Sequence, residues 1–122
     1  MPLFQFAPVR LASGKESPWK IDCDALTNED WLAVAQIARL LLPGFGAVEG
    51  VPRGGLKFAG CLRVFADPIS TRLLIVDDVL TTGGSMERQR ANRAAVGVVL
   101  FARGPCPPWV RAVFHADPWI DK

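Results

Sequence analysis

The run Leu73-Leu74-Ile75-Val76-Asp77-Asp78-Val79-Leu80-Thr81-Thr82-Gly83-Gly84-Ser85 decides how this chain of 122 residues is read. Four branched apolar residues in a row suit a parallel strand covered on both faces, which brings Asp77 and Asp78 to its carboxyl end. Open α/β sheets bind ligands there. Behind the acids, Thr81, Thr82 and Ser85 offer hydroxyls, and Gly83 and Gly84 let the chain bend so that backbone N–H groups converge ahead of a helix. Carboxylates that accept from sugar hydroxyls, followed by a turn that holds phosphate, describe a ribose-phosphate site.

Upstream, Thr27 and Asp30 form an acidic variant of a capping box, and Trp31, Val34, Ala35, Ala38, Leu41 and Leu42 recur at helical spacing until Pro43-Gly44. Residues 47–50 read as a short strand, Gly54-Gly55 opens a helix to about Val64, and Asp67-Pro68 marks a turn. Downstream, a helix is expected to about Ala95, then a strand over 96–102, a proline-rich loop over 104–108 and a last strand over 111–115. Strand and helix alternate, which predicts a small doubly wound α/β fold: a parallel sheet flanked by helices, with right-handed crossovers. Between the first strand and its helix lies Gly50-Val51-Pro52-Arg53-Gly54-Gly55, where backbone donors and one guanidinium can hold an anion.

Half the residues are apolar and 21% are charged, as in a globular chain long enough for one cored domain. No apolar run approaches the roughly 18 residues that span a bilayer, and the N-terminus does not read as a signal peptide. Cys23, Cys61 and Cys106 lack paired spacing, which suggests free thiols in the cytoplasm rather than disulfides or zinc. A net charge of +2 is too small to argue for nucleic acid, and Arg88, Arg90 and Arg93 have no aromatic among them, so they read as a solvated helix face.

The run from Leu73 to Ser85 resembles the phosphoribosyl pyrophosphate (PRPP) signature of type I phosphoribosyltransferases. That resemblance implies that Asp77 and Asp78 bind the ribose hydroxyls, and that Thr81, Thr82, Gly83, Gly84 and Ser85 bind the 5'-phosphate. It makes Val51, Pro52, Arg53 and Gly54 the pyrophosphate loop, with a cis peptide expected between Val51 and Pro52. Phe6 and the segment Leu11-Ala12-Ser13-Gly14-Lys15-Glu16-Ser17-Pro18-Trp19 resemble the opening of the orotate branch. Ala12 replaces that branch's lysine, and Lys20 and Ile21 replace its aromatics. Residues 1–26 would then be a hood-like segment and 27–122 the α/β core of a single domain. Ser13, Gly14, Lys15 and Arg103 would bind the base, Arg103 through the orotate carboxylate.

By the same resemblance the activity is transfer of ribose 5-phosphate from PRPP to a nucleobase, orotate favoured, with Asp77, Asp78 and Arg53 at the reaction centre. Mg²⁺ is the implied cofactor, bound through PRPP, with Asp77 the one candidate for a direct contact. Relatives are commonly homodimers, with Trp109 and Trp119 as candidates for the contact or for covering the base. In the full-length orotate enzymes a further strand and a basic mobile loop precede the signature strand, where this chain has only residues 60–72. Arg63 and Arg72 are the nearest substitutes, and His115, in the last strand, is expected to be structural. Two expectations follow: a working transferase, or a catalytically silent PRPP-binding or regulatory module.

Overall fold

The computed structural model describes residues 20–115 together with Phe4–Gln5, Val9–Arg10 and Glu16–Ser17, and side chains from Asp22 onward. The early segments are backbone ladders: Phe4–Gln5 pairs antiparallel with Lys20–Ile21, and Val9–Arg10 with Glu16–Ser17. Helix α1 (Asn28–Leu40) starts at the expected capping box, in which Thr27 Oγ1 accepts from Asp30 N–H and the Asp30 carboxylate accepts from Thr27 N–H. Four parallel strands follow in sequence order across one sheet: β1 (Ala47–Gly50), β2 (Leu73–Leu80), β3 (Ala95–Ala102) and β4 (Val110–His115). Helix α2 (Leu56–Leu62) joins β1 to β2, and α3 (Gly84–Arg90) joins β2 to β3.

Period two along the strands sorts the core into two layers. On one face Leu74, Val76, Val98 and Leu100 pack with Trp31, Ala35 and Ala38 of α1 and Phe58, Ala59 and Leu62 of α2. Trp31 and Phe58 fix the two helices against each other at a ring separation of 5.4 Å. On the other face Ile75 and Val99 pack with Met86 of α3, Val51 and Val110. Among the described residues no helix is long and apolar enough to cross a membrane.

The parallel sheet with helices on both faces is the expected architecture, with one departure. The strands step in a single direction, β1 to β2 to β3, yet α2 and α3 lie on opposite faces. Two such crossovers have opposite hands, so only one obeys the right-handed rule. A strand on the far side of β1, taken between α2 and β2, would remove the conflict. Instead the chain runs from α2 through a 3₁₀ turn (Arg63–Phe65) straight back to β2. Helix α3 also ends earlier than expected, at Arg90, where Ala91 takes a positive φ of 55°.

Candidate functional site

Strand β2 does not end at Val76 as expected but continues through both acids to Leu80. Val79 and Leu80 still pair with Phe101 and Ala102, and Leu80 is buried, so the ladder on the β3 side holds. The β1 ladder stops at Gly50 opposite Val76. Asp77 and Asp78 therefore stand at a rim on the β1 side alone, and the chain leaving β1 turns over them. Val51 N–H donates to Val76 O at 2.8 Å, and Gly55 N–H donates to Val51 O at 2.9 Å. A Cβ on Gly54 would overlap the Asp78 carboxylate, and one on Gly55 would overlap Val76 O. Only glycine lets this loop lie so close to the acids. The cis bond joins Pro52 to Arg53, not Val51 to Pro52. This corrects the sequence reading, which looked to proline's nitrogen because a cis bond is ordinarily found there.

Successive strand residues face opposite ways, yet the two carboxyls meet. Asp77 is buried, its side chain hydrogen-bonds that of Asp78, and its Oδ1 accepts from Asp78 N–H at 2.8 Å. Asp78 Oδ1 in turn accepts from Val79 N–H at 2.8 Å. Burial, followed by the hydrogen bond and charge of Asp78, raises the Asp77 pKa from 3.8 to about 8. The pair thus holds a proton near neutrality. The sequence signals did not show this asymmetry between a buried Asp77 and a half-buried Asp78. They also missed Cys23, which is buried with its thiol pKa raised, first by burial and then by the charges of Asp78, Asp22, Asp24 and Asp77.

After Leu80 the chain enters the turn of Thr81, Thr82, Gly83, Gly84 and Ser85. Gly83 sits at φ 86° as the N-cap of α3. Gly84 N–H leans toward Thr82 Oγ1 at 3.4 Å. The N–H groups of Thr82, Gly83, Ser85 and Met86 have no backbone partner among the described residues. Open amides around a left-handed residue form an anion-binding concavity. Arg103, half-buried at the end of β3, is anchored beside this turn by its N–H to Leu80 O at 2.7 Å. Arg53 is exposed on the rim loop.

The structure thus brings Val51, Pro52, Arg53, Gly54, Asp77, Asp78 and the Thr81 to Ser85 turn to the carboxyl end of β2, with Arg103 next to it. Ser13, Gly14, Lys15, Ala12 and Trp119 lie outside the described residues. Arg72 precedes β2, five residues and roughly 17 Å of strand before Asp77, and donates to Gly44 O at 2.8 Å. Arg63 donates to Val48 O on the outer edge of β1 at 3.3 Å. Both donate to backbone carbonyls away from the rim. Trp109 is half-buried rather than exposed: its Nε1–H donates to Glu87 at 3.0 Å and Arg90 lies over its ring at 4.2 Å. His115 is exposed, not a packed structural imidazole. A groove lined by Ile69, Ser70, Arg72 and Val96 lies at the amino ends of β2 and β3, the opposite end of the sheet.

Solved structures share this fold. The orotate phosphoribosyltransferase of Aeropyrum pernix superposes with a TM-score of 0.68 at 22% identity, over 93% of this chain and 88% of that one. The UMP synthase of Leishmania donovani gives 0.72 at 21% identity, over 93% of this chain and 33% of its own. No family model matches the chain. In sequence, the orotate phosphoribosyltransferase of Pyrobaculum aerophilum is 31% identical over 135 residues, covering 84% of this chain and 70% of the relative. The 135 aligned positions exceed this chain's 122 residues, so the relative carries residues that this one lacks. With a relative at this identity and coverage, and with the sheet and rim just described, the chain belongs to the orotate phosphoribosyltransferase family, in a shortened form.

Proposed function

We propose that this protein transfers the ribose 5-phosphate of PRPP to a ring nitrogen of a nucleobase, orotate favoured, and releases pyrophosphate. One observation carries the reading: paired carboxyls and a turn of open amides meet at one end of β2, beneath a glycine loop folded onto Asp78. The Thr81 to Ser85 amides and hydroxyls would hold the 5'-phosphate. Asp78, with Asp77 behind it, would accept from the ribose 2' and 3' hydroxyls, and the Val51 to Gly54 loop with Arg53 would hold pyrophosphate. Arg103 would hold a base carboxylate through its planar fork. Positioning and charge stabilisation accomplish such a transfer without a protein nucleophile.

No three-residue cluster of metal ligands exists among the described residues. The two carboxyls suit Mg²⁺ only if PRPP oxygens and water complete its shell, and Asp77 or Asp78 would be the protein contact. Bound there, the ion would neutralise charge on the departing pyrophosphate. Three unpaired thiols fit a reducing compartment such as the cytoplasm.

A silent PRPP-binding module is the second reading. It is favoured by the short link between α2 and β2, whose arginines are bonded to backbone carbonyls away from the rim. Calorimetry with PRPP and Mg²⁺, followed by a turnover assay with orotate, separates the two. Nucleotide formation that vanishes in Asp78→Asn supports the transferase, PRPP binding without turnover supports the module, and no binding at millimolar PRPP eliminates both.

A further inference from the structure

Arg88 projects from α3 back over the turn that precedes it. Its Nη2 donates to Ser85 Oγ at 3.3 Å, and its Nη1 lies 3.3 Å from where a Cβ on Gly84 would stand, a point that is 3.6 Å from Thr82 Oγ1. The neighbouring arginines are committed elsewhere: Arg90 pairs with Glu87 and covers Trp109, and Arg93 pairs with Glu49. No acidic partner is found for Arg88 among the described residues, and Arg88 is exposed. Helix α3 has only seven residues, so its own dipole adds little to the field at the turn. A fixed cation there would supply what so short a helix cannot.

We infer that Arg88 is an additional binding residue for the 5'-phosphate, clamping it against the Thr82 to Ser85 amides. The inference rests on the proposed PRPP site and adds to it a charged contact that the hydroxyl-and-glycine turn alone does not provide. A guanidinium already hydrogen-bonded to Ser85 Oγ needs only a side-chain rotation to share a phosphate oxygen with that hydroxyl. It would act on the sugar-phosphate end and leave the pyrophosphate end to Arg53.

Titration calorimetry of the whole chain with ribose 5-phosphate, PRPP and inorganic pyrophosphate, each with Mg²⁺, tests this in wild type, Arg88→Met and Arg88→Lys. Arg88→Met is expected to weaken ribose 5-phosphate and PRPP alike by about tenfold, to leave pyrophosphate unchanged and to flatten the salt dependence of sugar-phosphate binding. Arg88→Lys should recover most of the loss. Unchanged sugar-phosphate affinity in Arg88→Met, with wild-type binding intact, overturns the inference and spares the proposed function. An equal loss for pyrophosphate also overturns it, since that marks a general field rather than a contact. A wild type that binds neither sugar phosphate removes both readings.

Discussion

The two connections that flank β2 are built on opposite principles. The link that enters it, residues 63–72, satisfies its own polar groups: Asp67 N–H donates to Phe45 O, Ile69 N–H to Asp67 Oδ1, Ser70 N–H to Asp67 O and Arg72 N–H to Ser70 Oγ. Its arginines hold the carbonyls of Val48 and Gly44, and Arg63 thereby caps an outer edge that another strand could otherwise join. The link that leaves β2, from Thr81 to Ser85, keeps its amides open around Gly83. One connection thus spends its polar groups on the fold, while the other leaves backbone donors without protein partners among the described residues.

Substitutions at the glycine loop sharpen this contrast most. A Cβ on Gly55 would meet backbone on every side, overlapping Val76 O and approaching Val51 N at 2.9 Å and Asp77 Cα at 3.0 Å. Gly55→Ala should cost about 3 kcal/mol or more and lower the melting temperature by roughly 10 °C or more. A melt within two degrees of wild type would show that the loop does not pack as described. On Gly54 the Cβ would meet only the Asp78 carboxyl, which can rotate away. Gly54→Ala should then cost about 1 kcal/mol in stability while PRPP affinity drops by roughly tenfold, the reverse balance from Gly55→Ala.

The next effect depends on pH. Folded Asp77 keeps its proton up to about pH 8, whereas the unfolded chain releases it near 3.8, so the native state binds more protons across that interval. Stability contributed by this group is complete below pH 3.8 and is lost as pH rises to about 8. Asp77→Asn removes that loss. Its stability should exceed that of wild type by an amount that grows between pH 5 and about pH 8 and comes to about 2 kcal/mol or more, followed as a widening gap in melting temperature. Parallel melting curves for the two proteins across that range would refute the protonated pair.

Local grammar made the receptive link legible: Asp77-Asp78 followed by Thr81-Thr82-Gly83-Gly84-Ser85 is chemistry written in adjacent residues, and so is the capping box of α1. Long-range pairing hid the rest. The acids read as a strand end because they are polar, but β3 partners hold Val79 and Leu80 in the ladder. Burial of Asp77 could have been anticipated from strand alternation, which gives neighbouring residues different surroundings. The position of the cis bond had no local signal, since Arg53 is not proline. Neither did the destinations of Arg63 and Arg72, whose acceptors lie 15 and 28 residues away.

The smallest predicted effect lies where β1 is tied to the far end of α3. Glu49 of β1 accepts from Arg93, just beyond α3, at 2.7 Å and 2.8 Å, and from Gln89 at 2.9 Å. These bonds lower the Glu49 pKa from 4.5 to about 2, so the stability they contribute is present above 4.5 and lost as pH falls to about 2. The pair is bidentate but largely solvated, and solvent screening leaves it worth about 0.5–1 kcal/mol. Arg93→Gln should lower the melting temperature at pH 7 by a few degrees and have no effect at pH 2. Because the same contact fixes the far end of α3, it should also raise amide hydrogen exchange in the Thr82 to Met86 turn. Unchanged exchange there would mean that the turn is held by Met86 in the core and not by the anchor at the far end of α3.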